Sequence, residues 1–370
     1  MKVIIAGGGT GGHIYPAVSL AKEFLRRDPG TDILFVGTKR GLENFILPKE
    51  GFMLKRIWVG GLIGRGLLKT IISLCKLPVG LVQSAMILCK FRPDMVLGVG
   101  GYVAGPLVFC AYILRIPIVI QEQNLFPGVT NRILGRFADK IAVSFRETRD
   151  YFSEKKVVFT GNPVRREILE KLKTDTGDME KSQFTIFIFG GSQGAENINR
   201  AVVSALDLLG EFKDSVRMIH QTGKNDEESV KKEYNKKGFT ADVRAFIYEI
   251  SDIYKEADLV ICRAGATSVS ELLVAGKASI LIPLLTAAHN HQEINARRLK
   301  EAGAAEMILE KDLSGELLAG TIVDLIKDEE RLKEMRKKSR EMAVPDASER
   351  VVDVCYAVLK ERNRLTAMSY

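Results

Sequence analysis

Residues 7–17 read GGGTGGHIYPA, directly after the apolar run VIIA (3–6). Five glycines in six positions, closed by a histidine and a proline, mark a turn where a strand meets a helix. Unpaired backbone N–H groups and the helix dipole at such a junction favour an anion. Glycine lets the backbone approach that anion closely and take up positive φ. GVGGYVAGP (98–106) and GGSQGAENIN (190–199) have the same character, each following an apolar run. A tight βα turn explains any one of these loops alone. Three in one chain, with His13 and Ser192 inside them, point to ligand binding.

Working outward, short β-branched runs alternate with helical patterns. VIIA, DILFVG (32–37), MVLGVG (95–100), IPIVIQE (116–122) and KIAVS (140–144) read as buried parallel strands. The alternation restarts at TIFIFGG (185–191) and runs through VRMIHQTG (216–223), ADLVIC (257–262) and ASILIPL (278–284). An open α/β sheet that occurs twice predicts two doubly wound domains, as the length of 370 residues allows. The junction is expected in VVFTGNPVRREI (157–168), where a strand ends at Gly161 and Asn162-Pro163 turns the chain. Residues 173–183 are polar and read as a surface connection. Residues 346–364 carry Val351, Val352, Val354, Cys355, Val358 and Leu359 at helical spacing, giving a long C-terminal helix able to pack on either domain.

Composition narrows the function. The net charge is +8 and the pI about 9.1, which suits nucleic acid, an anionic membrane or a polyanionic small substrate. Aromatic residues make up only 7% and no basic segment is interleaved with them, so no nucleic-acid partner is expected. Cys75, Cys89, Cys110, Cys262 and Cys355 are scattered without CxxC spacing, as expected for reduced thiols in a cytosol. The sequence enters a strand at once, without a signal region. The most apolar stretch, 67–91, is interrupted by charge and by Pro78, and is not expected to cross a bilayer.

The glycine loops exclude some cofactors. Gly7-x-Gly9-x-x-Gly12 fits the dinucleotide fingerprint, but the second strand ends in Lys39 and Arg40 where NAD would want an acidic residue. NADP tolerates a basic pair. No Gly-Lys-Ser/Thr follows any of the loops, which excludes a Walker site. His289-x-His291 with Glu293 suggests zinc, yet alternate residues at a helix start point apart and further ligands are lacking. No metal and no cofactor are expected.

CRAGATSVSELLVAGKASILIPL (262–284) predicts a strand ending at Cys262 and a helix from about Thr267. Ser268-Val-Ser-Glu271 matches a capping box; alternatively Glu271 accepts hydrogen bonds from ribose hydroxyls. Asn290 and Gln292 in HNHQEINARRL (289–299) suit sugar recognition.

In order, GGTGGHIYPA, GVGGYVAGP, EQN (122–124), GNPVR (161–165), GGSQGA, CRAGATSVSE and HNHQEINA resemble the MurG family over essentially the whole chain. These are undecaprenyl-diphospho-muramoylpentapeptide N-acetylglucosaminyltransferases. The resemblance implies a GT-B fold, two Rossmann-like doubly wound domains with parallel sheets facing across a cleft. Residues 1–162, completed by a helix in 345–370, would form an acceptor and membrane-facing domain, and 163–344 the UDP-GlcNAc domain. Transfer would run with inversion from UDP-GlcNAc to the C4 hydroxyl of lipid I, giving lipid II for peptidoglycan. Carried over by residue, Ser192 meets the diphosphate, Ile247 the uracil through its backbone, and Arg165 the nucleotide. The helix opening Ala266, Thr267, Ser268, Val269 and Ser270 receives phosphate, Glu271 the ribose and Gln292 the GlcNAc hydroxyls. Thr10, Gly11, Gly12 and Asn124 approach from the N-terminal side. His13 is the expected general base, since an unperturbed imidazole with pKa about 6.5 suits proton removal at neutral pH. Glu122 is the second candidate base; His13 could instead bind acceptor phosphate or cap its helix.

The expected partners are UDP-GlcNAc, lipid I, an anionic membrane surface and other cell-wall and division proteins, at the cytoplasmic face of the cell membrane. Ile71, Ile72, Leu74, Leu77, Leu81 and Val82, rimmed by Lys69, Lys76, Lys90 and Arg92, form the candidate membrane patch, unless this is an ordinary helix covering the sheet. Rival readings are another GT-B enzyme (a lipid glucosyltransferase or UDP-GlcNAc epimerase), a non-catalytic nucleotide-sugar regulator or membrane-surface scaffold, and an NADP oxidoreductase.

Overall fold

The computed structural model describes residues 1–39, 41–60, 66–173, 183–191, 194–287 and 290–368. The chain divides into two compact units, Met1–Arg165 with Pro345–Tyr370, and Arg166–Val344.

The first unit starts β1 (Lys2–Gly7), α1 (Gly11–Arg27), β2 (Asp32–Gly37), α2 (Glu43–Lys49), β3 (Met53–Arg56) and α3 (Gly66–Phe91). It continues β4 (Met95–Gly100), α4 (Ala104–Ile113), β5 (Ile118–Glu122), α5 (Val129–Leu134), β6 (Lys140–Val143) and β7 (Val157–Phe159). Its sheet is parallel, in the order β3-β2-β1-β4-β5-β6-β7. Alternation along β1 builds two hydrophobic layers. Val3 and Ile5 pack with α1, while Ile4 and Ala6 pack with Val103, Ala104, Leu107 and Val108.

The second unit runs α6 (Arg166–Lys173), β8 (Phe184–Phe189), α7 (Glu196–Ala205), β9 (Val216–Gln221), α8 (Glu227–Lys237), β10 (Thr240–Arg244) and α9 (Ile250–Glu256). Then follow β11 (Leu259–Cys262), α10 (Ala266–Ala275), β12 (Ala278–Leu281), α11 (His291–Glu301), β13 (Ala305–Met307), α12 (Gly315–Lys327) and α13 (Glu329–Met342). This sheet is also parallel, ordered β10-β9-β8-β11-β12-β13.

The last helix, α14 (Ala347–Met368), returns to the first unit. Val351, Val352, Cys355 and Val358 are buried in the same layer as Val3 and Phe24. Arg27 donates to Asp353 at 2.5 Å and to the Glu349 carbonyl at 2.9 Å, and Arg362 to Asp139 at 2.6 Å. Apolar spacing alone left the partner of this helix open because it encodes a face and not a destination.

Strand boundaries are tighter than the apolar runs. β5 begins at Ile118, β8 ends at Phe189, β11 begins at Leu259 and β12 ends at Leu281. The junction strand ends at Phe159, two residues before Gly161. β3, β10 and β13, absent from the sequence reading, are short strands at or next to the sheet margins.

Candidate functional site

Both sheets reverse their strand order at one place, between β1 and β4 in the first unit and between β8 and β11 in the second. In open α/β sheets a crevice opens outside the carboxyl ends of the strands at this reversal, and ligands bind there. All three glycine-rich loops follow strands that flank a reversal.

In the first unit, the loop after β1 leads into α1 with Thr10 as its N-cap. The Thr10 carbonyl accepts from the His13 and Ile14 amides, both at 3.2 Å. Thr10 Oγ1 lies 3.4 Å from His13 Nδ1. The imidazole lies against the loop after β4: a Cβ on Gly100 would come within 2.9 Å of His13 Nε2 and Cδ2, and Gly100 has φ of +98°. Glycine at 100 is therefore what makes room for the ring. Arg165 packs on the first turns of α1, its guanidinium 4.6 Å from the centre of the Tyr15 ring.

Sequence reasoning missed Glu43. It is fully buried at the start of α2, and its carboxylate accepts from the Gly9 amide at 2.9 Å, the Thr38 amide at 2.9 Å and the Thr38 hydroxyl at 2.8 Å. A carboxylate of the chain itself thus anchors one end of the first glycine loop. No local motif announces it, since an acid in a helix's first turn is ordinary.

Glu122 closes β5 and is 1% exposed. It accepts from the Asn124 amide at 2.9 Å, the Asn124 side chain at 3.3 Å, the Gly128 amide at 3.1 Å and Asn131 Nδ2 at 2.9 Å. Burial raises its pKa and these donors pull it back. With both oxygens occupied, Glu122 folds the 122–131 loop and orients Asn124.

In the second unit, the loop after β8 and the start of α10 flank the reversal. Ser192 lies outside the described residues, as does His289. α10 opens at Ala266 with Gly265 as N-cap and no side-chain cap. The capping box is therefore corrected: Ser268 is the third helical residue, and a side chain there cannot stand at the N-cap. Glu271, 3% exposed, instead accepts from the Tyr254 hydroxyl at 3.4 Å. The Val269 amide donates to the Gly265 carbonyl at 2.9 Å and its side chain is fully buried. Ser270 Oγ donates back to the Ala266 carbonyl at 2.9 Å. Ala266, Thr267 and Ser268 precede the first amide of this helix that bonds back to Gly265.

Ile247, 3% exposed, gives its amide to Gln221 Oε1 at 2.8 Å. Gln292 Oε1 accepts from the Leu284 amide at 3.0 Å, bracing the segment before α11. Arg263, also not singled out from sequence, donates to the Ile282 and Pro283 carbonyls at 3.2 and 3.4 Å and pairs with Glu310. Despite its burial, the Glu310 carboxyl is held below its ordinary pKa by the Leu285 amide, Arg263 and Asn197. The pair ties the end of β11 to the segment after β13, and the bonds of Arg263 to Ile282 and Pro283 and of Glu310 to the Leu285 amide hold the loop after β12 between them.

On the face of the first unit covered by α3 and α4, Val79, Val82 and Met86 are exposed, and so are Phe109, Tyr112 and Ile113. Leu81 is partly buried against the core layer and does not belong to this face, a correction to the patch expected from sequence. Leu77 is half-buried and Lys76, Lys90 and Arg92 are exposed. The side chains of Lys69, Ile71, Ile72 and Leu74 lie outside those described. No helix among the described residues is long and apolar enough to cross a membrane.

Residues 3–143 match the glycosyltransferase family 28 N-terminal domain and residues 185–351 its C-terminal domain. A UDP-N-acetylglucosamine--N-acetylmuramyl-(pentapeptide) pyrophosphoryl-undecaprenol N-acetylglucosamine transferase of Myxococcus xanthus is 48% identical, covering 96% of this chain and 92% of the relative. The Geobacter sulfurreducens protein of the same name is 47% identical, covering 95% and 97%. The crystal structure of Acinetobacter baumannii MurG superposes with a TM-score of 0.75 at 30% identity, covering 95% of this chain and 98% of that one. A UDP-GlcNAc 2-epimerase from Neisseria meningitidis, 16% identical with a TM-score of 0.68, has the same fold. With paired switch points carrying the family's glycine loops and relatives this similar along their whole length, the chain belongs to glycosyltransferase family 28 and, within it, to the MurG family.

Proposed function

We propose that this chain transfers N-acetylglucosamine from UDP-GlcNAc to the C4 hydroxyl of the muramoyl sugar of lipid I, forming lipid II with inversion at the anomeric carbon. The observation that carries this reading is a glycine-loop switch point in each of two units, joined to relatives of that name along nearly the full chain. The alternative of a different UDP-sugar enzyme, such as an epimerase, rests on fold likeness alone.

The reaction has two charges to manage, a proton leaving the acceptor hydroxyl and a diphosphate forming on the donor. For the diphosphate, the chain supplies the α10 N-terminus at Ala266–Ser268 and the loop containing Ser192. Glu271 takes the ribose, the Ile247 backbone the uracil, Arg165 the nucleotide and Gln292 the sugar hydroxyls. Residues 1–162 with 345–370 serve as the acceptor domain and 163–344 as the donor domain.

His13 is the base in this reading. The tautomer in which Nδ1–H donates to Thr10 Oγ1 carries its lone pair on Nε2, the form a base needs, and Gly100 lies against the ring on one side. Glu122 acts through Asn124 by shaping its loop. Gly11 and Gly12 let the acceptor or donor approach the α1 N-terminus. The apolar α3–α4 face with its basic rim seats the enzyme on an anionic bilayer at the cytoplasmic side, where a polyprenyl acceptor lies.

The test is turnover of radiolabelled UDP-GlcNAc with a short-chain lipid I analogue, beside UDP-glucose and a diacylglycerol acceptor. Transfer confined to the first pair supports the reading; transfer to diacylglycerol, or none to the lipid I analogue, ends it.

A further inference from the structure

Gln221, the last residue of β9, is 4% exposed. Its Nε2 donates to the Gly191 carbonyl at 3.0 Å and its Oε1 accepts from the Ile247 amide at 2.8 Å. One side-chain amide therefore joins the glycine loop after β8 to the segment after β10. The two ends are not interchangeable, because Gly191 offers only a carbonyl and Ile247 only an N–H. A carboxylate could serve Ile247 but has no proton for Gly191 at neutral pH.

The surroundings make this contact a spacer. The Thr222 and Gly223 amides donate to the Arg244 and Ala245 carbonyls, both at 3.1 Å, so the 221–223 and 244–247 segments run side by side. On the other side the glycine loop presses on 222: a Cβ on Gly194 would come within 2.1 Å of the Thr222 carbonyl oxygen. Backbone pairing fixes the 244–247 segment against 221–223, and close packing at Gly194 fixes the glycine loop. Gln221 alone among the described side chains bonds both the Gly191 carbonyl and the Ile247 amide.

We propose that Gln221 is a positioning residue for the nucleotide, setting the distance between the loop that holds the diphosphate and the backbone that meets the base. The inference rests on the donor reading given above. A ligand that spans both segments gains from having them held at the right separation beforehand, and loses that gain when the brace is cut. Donor binding is then sensitive to Gln221, whereas the acceptor and the chemical step are not.

The experiment compares wild type with Gln221→Ala and Gln221→Glu, measuring UDP binding by calorimetry, kcat, KM for UDP-GlcNAc and KM for the lipid I analogue, and thermal midpoints. Gln221→Ala is expected to raise the UDP Kd and donor KM about tenfold, with kcat within about threefold and the acceptor KM unchanged. Gln221→Glu, close to isosteric, is expected to weaken UDP more, since it sets a carboxylate against the Gly191 carbonyl near the diphosphate loop. Its loss should shrink as the carboxylate is protonated at lower pH, in the UDP Kd and donor KM but not in the acceptor KM, a split that a merely structural residue would lack. Unchanged donor KM in both variants overturns the proposal, as does a parallel loss of kcat and both KM values with a lowered melting midpoint. Failure of wild type to bind UDP overturns the donor reading itself, which separates the two failures.

Discussion

The imidazole of His13 lies against Gly100 across two glycine loops, so close that a methyl group on Gly100 would overlap the ring at 2.9 Å. The two loops leave adjacent strands at the first switch point, so the position of one catalytic candidate is set by the absence of a side chain on its neighbour. Gly100→Ala is expected to cost about 1–3 kcal/mol through its positive φ, and to displace His13. With His13 as base, kcat falls tenfold or more while the UDP Kd, which the donor reading assigns chiefly to residues of the second unit, stays within about twofold. A kcat near wild type would show that the ring's placement is immaterial.

His13 and Glu122 can be told apart by which measurement each one moves. His13→Ala is expected to lower kcat by about 10²–10⁴, with little effect on the melting midpoint, because the ring is half-buried and belongs to neither core layer. Glu122→Gln places an amide where four donors converge, so stability and activity should fall together. A drop of less than about tenfold for His13→Ala, beside a thousandfold loss for Glu122→Ala at unchanged stability, would transfer the base to Glu122.

What the sequence disclosed follows from how each element is made. β1, β2, β4, β8 and β11 have nearly every residue buried and read directly as apolar runs. MLKR of β3, TADVR of β10 and AEM of β13 lie at the sheet margins, where one side is solvated and polar residues are tolerated, so no apolar run announces them. The glycine loops were legible because their composition is itself unusual. Glu43's tie to Gly9, Gln221 and the Arg263–Glu310 pair were not, because these partners lie 34, 26 to 30 and 47 residues away along the chain. Such contacts exist only once the strands are in register.

His220, fully buried between the Tyr234 hydroxyl at 3.1 Å and Asn199 Oδ1 at 3.0 Å, has its pKa lowered by burial to about 3. A native pKa below the unfolded value means stability that is fully present above about pH 6.5 and is lost as the pH falls toward 3. Across that window the unfolded chain binds one more proton, a slope of about 1.4 kcal/mol per pH unit. Urea melts between pH 6 and 4 should display nearly this slope, reduced by about that amount in His220→Gln. An identical slope in the variant would mean that His220 is protonated in the native state.

No Asp-x-Asp occurs in the sequence, and the donor reading assigns the diphosphate to backbone amides and a helix N-terminus. Turnover is therefore expected to persist in EDTA. Complete loss restored by magnesium or manganese would require a metal at the leaving group and would displace the α10 amides from that role.

The α3–α4 face offers apolar and cationic groups that can be separated by mutation. Lys76→Glu and Lys90→Glu each remove a cation from the rim, and at about 1 kcal/mol per basic residue near the surface each should weaken binding to anionic vesicles about fivefold or more. This loss should diminish in high salt, where wild type is also weakened. Val82→Asp and Met86→Asp, at 61% and 66% exposure, should instead lower affinity in a way salt does not mask. In all four variants turnover of a water-soluble short-chain acceptor should stay at the wild-type level, since all four side chains are exposed on α3 and none belongs to a glycine loop. Vesicle binding indifferent to both classes of substitution would mean that the face covers nothing but its own sheet, and that another surface meets the bilayer.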